Sequence, residues 1–516
     1  MMQRESGVLL HISSLPNQFG IGSFGKTAYD FIDFLNETKQ SYWQILPLTT
    51  TSYGDSPYQS FSAFAGNTHF IDFDLLFEDH LLEKKDYNQL KFAESDTTVD
   101  YERLFKMRRP ILEKAVTHFI ENPEYMQLLD QFIKKEAWWL TSFSEFMAIK
   151  EYFNHQPWNK WDENIRNRES DALIFYRKKL KSQIQYHIIT QYLFFKQWFE
   201  LKEYANQKNI KIIGDIPIYV AYDSVEVWAT PEYFKLDENK IPITVAGTPP
   251  DNFSSDGQYW GNPIYDWNYM ENEDYQWWIR RIKESLTIYD AVRIDHFRGF
   301  DAFWEIPYGA PTASTGSWSK GPGIDLFKSI KNNLGKVNII AEDLGFMTQS
   351  VIDLRNWTEY PGMKILQFAF NGYDIDSTDL PFHYPVNSIA YVGTHDNETC
   401  EGWFKDTANN EMKEQASRYL KQLPNEPISA AFNKGIAASN SRIAIYTMQD
   451  LLHLDNSARM NTPSTLGGNW TWRMKSNDIT QSLIHSLSEM TNLYFRENKA
   501  LSNIKKKDIE ATSPDL

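Results

Sequence analysis

Residues 291–295 read AVRID, and HFRGF follows at 296–300. A short run of apolar, β-branched residues closed by a carboxylate reads as a strand buried on both faces, with its last residue emerging at a sheet edge. Seven more runs share this character: 7–11 (GVLLH), 42–47 (YWQILP), 210–215 (IKIIGD), 337–342 (VNIIAE), 363–368 (MKILQF), 389–395 (IAYVGTH) and 442–448 (RIAIYTM). Helical apolar spacing appears between them, as at 26–36 and 275–286. Eight parallel strands separated by helices close most simply into a (β/α)8 TIM barrel, of the α/β class.

The spacing of the runs is uneven. About 160 residues separate the second and third and about 75 the third and fourth, far beyond one crossover helix, so the barrel carries large helical and loop insertions. One catalytic barrel over 1–516 is expected, with insertion subdomains at about 49–209, 218–289 and 397–440. The first holds helix-like segments at 105–119, 132–150 and 184–204; the second holds a stretch at 246–263, dense in Gly, Pro and aromatics, that reads as a loop. Residues 403–422 are charged and helical in period, and the last dozen (KKKDIEATSPDL) read as a frayed tail.

Composition narrows the function. Lys+Arg total 52 against 68 Asp+Glu, a formal net charge of -16, which repels nucleic acid and anionic membrane surfaces. Aromatic content is 15%, with 17 Trp and 28 Tyr, and such rings suit ligands that are apolar on one face and hydroxylated at the edge, as sugars are. The single cysteine, Cys400, excludes an intramolecular disulfide framework. With no apolar leader at the N-terminus and no apolar stretch of membrane-spanning length, a cytoplasmic location is expected.

In such a barrel the chemistry sits at the C-terminal ends of the strands. Asp215 (GDIPIY), Asp295 (VRIDHFRGF), Glu342 (IIAEDLG) and Asp396 (GTHDN) all fall there. Cleavage of a glycosidic bond passes through an oxocarbenium-like transition state. One carboxylate attacks, a carboxylic acid protonates the leaving oxygen, and further negative charge stabilises the ring; a gap of about 5 to 5.5 Å between two acids means retention through a covalent intermediate. Arg293 lies two residues before Asp295, on the same side of a strand, where its cation favours the carboxylate a nucleophile requires. Burial of Glu342 behind an apolar run would raise its pKa, as a general acid needs.

VRIDHFRGF, IIAEDLG and GTHDN, in that order, resemble the nucleophile, acid/base and stabiliser segments of the 4-α-glucanotransferases (amylomaltases, disproportionating enzymes) of the α-amylase superclan. SGVLLHISSLP at the start, GDSPYQS at 54–60, GDIPIYV at 214–220, PPDNFSSDGQYWGNP at 249–263, SKGPG at 319–323 and MNTPSTLGGNWTWR at 460–473 extend the resemblance over nearly the whole chain. It implies Asp295 as nucleophile, Glu342 as acid/base and Asp396 as transition-state stabiliser. It also implies sugar contacts from Tyr58, Asp215, Arg293, His296, Trp260 and His395, with Ser56, Gln258 and Asn461 as further contacts. The implied reaction is transfer of α-1,4-glucan segments between maltooligosaccharides, without metal or cofactor. Hydrolysis of α-glucans and non-catalytic glucan binding are the alternatives; oligomeric state is not readable. Tyr259 and Trp260 are expected to supply the acceptor contacts that favour transfer over water. Ser319 departs from the apolar residue the resemblance leads one to expect, which bears on acceptor preference.

Three other patterns carry less. GIGSFG at 20–25 matches GxGxxG, but no acid ends the next strand to hold a ribose and 16–19 separates strand from glycines, so a loop at the barrel mouth is expected. The His and acids of GTHDNE have no second cluster at metal-ligand spacing. Cys400 has no evident base and reads as a small buried residue.

Overall fold

The computed structural model describes residues 4–250, 255–345, 347–371 and 377–500. Among these the strands are β1 (Glu5–Leu9), β2 (Tyr42–Gln44), β3 (Lys211–Pro217), β4 (Thr244–Thr248), β5 (Gln258–Pro263), β6 (Ala291–Asp295), β7 (Ala302–Pro307), β8 (Ser317–Lys320), β9 (Ile339–Ala341), β10 (Gly362–Ile365), β11 (Ser388–Tyr391) and β12 (Ile443–Thr447). Eight of them, in the order β1-β2-β3-β6-β9-β10-β11-β12, form a closed barrel with every pairing parallel. Each of the eight apolar runs in the sequence supplies one barrel strand.

Several strands are shorter than the runs. β2 stops at Gln44, β10 gives way to a 3-10 turn over Leu366–Ala369, and β11 ends at Tyr391, four residues before His395. Apolar content marked burial correctly; the ladder ended sooner because the chain must turn out of the barrel wall to present its polar residues on the rim.

Helices cover the wall. Between β1 and β2, Lys26–Glu37 buries Ala28, Phe31, Ile32 and Leu35, the i, i+3, i+4, i+7 stripe of an amphipathic helix. The first insertion supplies three long helices, Tyr101–Glu121, Pro123–Tyr152 and Lys181–Gln207, each containing one of the expected segments. The last returns to the barrel: Trp198 is fully buried and its indole N–H donates to the Ile288 carbonyl at 3.1 Å. At 403–422 the helix is broken, with a wider π turn at Trp403–Thr407 followed by Asn410–Tyr419.

Among the described residues, the two ends of the stretch 246–263 are strands and not irregular loop. β4 and β5 pair antiparallel across it, and with β7 and β8 they form a separate four-stranded sheet in the order β5-β4-β7-β8. Its Gly and aromatic content belongs to a strand pair in which Gly247 allows a close approach: a Cβ there would lie 2.0 Å from the Gln258 carbonyl oxygen. The GIGSFG segment runs into the helix at Lys26, and a Cβ on Gly25 would lie 2.1 Å from the Asp72 carboxylate, so an acidic side chain stands close against that helix entrance and disfavours a phosphate there. Cys400 is buried, as expected, and burial pushes its thiol well above the usual range. The C-terminal dozen lies outside the described residues. Among those described, no helix is long and apolar enough to cross a membrane.

Candidate active site

The register of β3 against β6 places Asp215 beside Arg293, and Pro217 beside Asp295. Arg293 and Asp295 alternate with Ile294 and so share one side of β6. The Arg293 guanidinium, 3% exposed, donates to Asp215 Oδ2 at 2.6 Å and to Asp295 Oδ1 at 2.9 Å. The planar fork of an arginine suits this bridging role. Burial pushes the Asp215 carboxyl up to about 7, against the opposing pull of Arg293 and of the Tyr58 hydroxyl.

Tyr58 extends the network. Its hydroxyl lies 2.9 Å from Asp215 Oδ2 and 2.9 Å from His395 Nε2, and its ring stacks on His395 at 5.3 Å between centroids. With its one proton given to Asp215, Tyr58 accepts from His395, which sets the imidazole proton on Nε2. His395 Nε2 also lies 3.4 Å from Asp396 Oδ2, and the Asn461 amide donates to Asp396 Oδ1 at 2.6 Å. One chain of contacts therefore runs Asp295, Arg293, Asp215, Tyr58, His395, Asp396, Asn461, joining residues from β6, β3, the first insertion, the loop after β11 and the segment after β12.

Glu342 follows β9 directly. Its carboxylate accepts the His296 N–H at 2.7 Å and the Leu344 N–H at 2.8 Å. The first of these depends on His296 taking a left-handed conformation (φ 56°, ψ 47°), which turns the chain sharply after Asp295 and aims the amide at Glu342. Burial, and then the charge of Asp295, push the Glu342 carboxyl up to about 7. His296 itself is half-buried, and desolvation lowers its pKa to about 3, so it is neutral. Its Nε2 and Asp215 Oδ1 are buried without a hydrogen-bond partner among the described residues.

Trp260 of β5 packs its ring at 90° to His296, 4.8 Å between centroids, and its indole N–H donates to Gln258 Oε1 at 3.0 Å. Ser56 Oγ accepts the Tyr58 N–H at 3.2 Å and so shapes the turn that carries Tyr58. The structure thus brings Tyr58, Asp215, Arg293, His395 and Asn461 into direct contact with one another or with the acids. Trp260 and Gln258 form a wall against His296, and Ser56 supports from behind. Tyr259 is separated from Trp260: adjacent strand residues face opposite ways, and Tyr259 is exposed, its hydroxyl taking the Gly309 N–H at 3.1 Å. Ser319 donates to Glu305, which also binds Thr244 and Lys235, so its hydroxyl has a structural partner inside the small sheet.

Sequence reading missed Arg459, Gln59 and Asn262. Arg459 donates through Nε to the Asn461 carbonyl at 2.8 Å and through Nη2 to the Asp396 carbonyl at 2.8 Å, tying the two loops together. Gln59 donates to Asn262 Oδ1 at 3.1 Å, and Asn262 to the Val220 carbonyl at 2.8 Å, anchoring the β5 strand. Gln59 and Asn262 lie inside GDSPYQS and PPDNFSSDGQYWGNP and Arg459 just before MNTPSTLGGNWTWR, but the partner of each is set by tertiary contact and leaves no pattern in the sequence.

An eight-stranded parallel barrel with four acids at its C-terminal rim, Asp215 and Asp295 bridged by a buried arginine and Glu342 raised toward neutrality, has the make-up of an enzyme of glycosidic bonds. The family described as 4-alpha-glucanotransferase (glycosyl hydrolase family 77) matches residues 10–480. The 4-alpha-glucanotransferase of Streptococcus pneumoniae is 54% identical over 507 residues, spanning 98% of this chain and 100% of that one. That of Thermus thermophilus is 44% identical over 488 residues, 93% of this chain and 96% of the relative. The solved amylomaltase of Streptococcus agalactiae, in complex with acarbose, superposes with a TM-score of 0.95 at 52% identity, covering 96% of this chain and 100% of that one. The chain belongs to the 4-alpha-glucanotransferase family.

The Arg459 clamp has a measurable consequence. Replacing Arg459 with Met frees the Asp396 backbone and should lower kcat on maltotriose by about 10²-fold, the scale of a 1 Å misplacement. The thermal unfolding midpoint should change little, and an unaltered kcat contradicts the clamp.

Proposed function

We propose that this chain transfers α-1,4-glucan segments by double displacement on a single catalytic barrel, to which the insertions at about 49–209, 218–289 and 397–440 add walls. Asp295 attacks the anomeric carbon of the donor while Glu342 gives its proton to the glycosidic oxygen, releasing the leaving fragment. The 4-hydroxyl of a second glucan then attacks the glycosyl-Asp295 ester, and Glu342 takes back the proton. Asp396 binds hydroxyls of the distorted ring.

The observation that carries this reading is the division of labour between two acids. Arg293 hydrogen-bonds Asp295, while desolvation and the charge of Asp295 push the half-buried Glu342 up to about 7. Environments that drive two carboxyls apart are those that make one a base or nucleophile and the other an acid. Sugar contacts from Tyr58, Asp215, Arg293, His296, Trp260, His395 and Asn461 belong to the same proposal, with Ser56 and Gln258 in support. The partnerless Nε2 of His296 and Oδ1 of Asp215 are atoms a sugar hydroxyl would satisfy. The single, buried Cys400 fits a cytoplasmic site of action.

Transfer must outrun hydrolysis, which requires acceptor contacts that lower one barrier more than the other, by about 1.4 kcal/mol per tenfold. Incubation with maltotriose should yield glucose and a ladder of longer maltooligosaccharides, and Asp295→Asn should abolish both while retaining maltooligosaccharide binding. Only shorter products would make the chain a hydrolase, and turnover by the variant would remove Asp295 from its role. The pH dependence follows from Glu342. A general acid must hold its proton, so activity is present below its raised pKa and is lost as pH rises through about 7. The alkaline limb of the kcat/KM profile for maltotriose should fall there; a plateau extending to pH of about 9 would assign the acid elsewhere.

A further inference from the structure

The small sheet arranges its residues in rows. Its register sets Tyr259 of β5 opposite Gly247 of β4, Gly247 opposite Trp304 of β7, and Trp304 opposite Trp318 of β8. Directly opposed residues share a face, so Tyr259, Gly247, Trp304 and Trp318 lie in one line on one side of the sheet. Their chain neighbours point the other way, where Trp260 meets His296, Phe303 enters the main core, and Ser319 and Thr244 bind Glu305.

The face with the aromatic row is covered in part, since Val245 and Ile306 on the same side are fully buried in a small cluster with Ala313, and its two ends stay open. Tyr259 is 40% exposed, Trp318 41%, and Tyr308, in the turn after β7, 45%. The row is held in shape from inside the sheet. Trp304 meets Trp318 edge-on at 5.2 Å and its indole N–H donates to the Ala313 carbonyl at 2.8 Å. Gly316 leaves room for that ring, since a Cβ there would lie 2.4 Å from the Trp304 nitrogen. The Arg298 guanidinium sits 4.0 Å from the centre of the Trp318 ring and backs one side of it. Among the described residues the Trp318 indole N–H has no hydrogen-bond partner. Exposed hydroxyls of Ser314 and Thr315 stand in the 3-10 turn that leads into β8.

We propose that this face is a docking platform for an α-1,4-glucan chain, separate from the catalytic cleft; the proposal rests on the glucan-transfer reading. Flat aromatic faces flanked by hydroxyls match the apolar face and polar rim of a pyranose ring. Polyanions are disfavoured by the net charge of -16, whereas a neutral polysaccharide is not. The platform is also continuous with the site: β5 carries Trp260 on one face and Tyr259 on the other, and Arg298 behind Trp318 lies three residues from Asp295. A glucan too long for the cleft meets the platform on the far side of the same sheet, which would raise the local concentration of long donors.

The test uses the full chain with soluble amylose and with maltotriose. Trp318→Ala should weaken amylose binding by about fivefold, the loss of one stacking partner, and leave kcat/KM on maltotriose unchanged. Trp318→Phe should restore most of the affinity, and Tyr308→Ala, at a residue whose side chain makes no hydrogen bond among the described residues, should weaken amylose binding in the same sense. Equal losses on both substrates would mean that Trp318 acts through Arg298 on the cleft, and unchanged amylose binding would remove the platform; either overturns the proposal. So would a wild-type dimer, seen by sedimentation, that Trp318→Ala dissociates without affecting amylose. Absence of a product ladder from wild-type maltotriose reactions would defeat the transfer reading instead, with the amylose comparison still decisive for the platform.

Discussion

A guanidinium sealed inside a protein is costly unless its charge is met on more than one side. Arg293 is met on two, by Asp215 and Asp295, and the rest of the rim is arranged around that bridge. Removing either carboxylate would leave a buried cation short of a partner, a loss of about 3–5 kcal/mol for pairs of this kind. Lysine could not substitute, because one ammonium does not offer two fixed, divergent donors. The bridge is therefore a constraint on strand register as much as on chemistry. β3 and β6 must pair so that Asp215 stands beside Arg293, and a slip of one residue would turn the carboxylate out of the barrel.

From that bridge the polarity of the site follows. The charge of Asp295 is one reason that Glu342 holds its proton to about pH 7, and burial is the larger one. Burial also keeps His296 neutral, with its pKa lowered to about 3, and lowers that of His395. Neutral imidazoles beside a carboxylate network can donate and accept without adding positive charge that would oppose an oxocarbenium-like ring. The strand ends supply rigidity, and the loops after β11 and β12, clamped by Arg459, bring Asp396 to the same network.

The barrel was legible in the sequence because burial on both faces leaves a mark that depends on no partner: eight apolar runs gave eight strands. The pairing of Arg293 with Asp295 was legible too, since alternation along one strand fixes it. Elements whose order depends on partners were not. The stretch 246–263 looks like a loop because Gly and Pro dominate it, yet β7, some forty residues onward, pairs with it and makes it a sheet. Tyr259 and Trp260, neighbours in sequence and together the expected acceptor contacts, stand on opposite faces of β5. Arg459 was missed because its two acceptors are backbone carbonyls, which any sequence possesses. Ser319, conspicuous by its type, is explained by Glu305, a residue visible to it only across β7 and β8.

The claim on which everything else depends is that Asp295, held by Arg293, is the atom donor of a covalent bond to sugar, with Glu342 needed to resolve it. A Glu342→Gln variant given an activated donor such as α-maltosyl fluoride, whose leaving group needs no acid, should accumulate the intermediate. Peptide mass spectrometry after digestion should then find one maltosyl unit on the peptide containing Asp295. A label on the peptide of Asp215 or Asp396, or release of fluoride with no protein-bound sugar at any time point, would contradict the account.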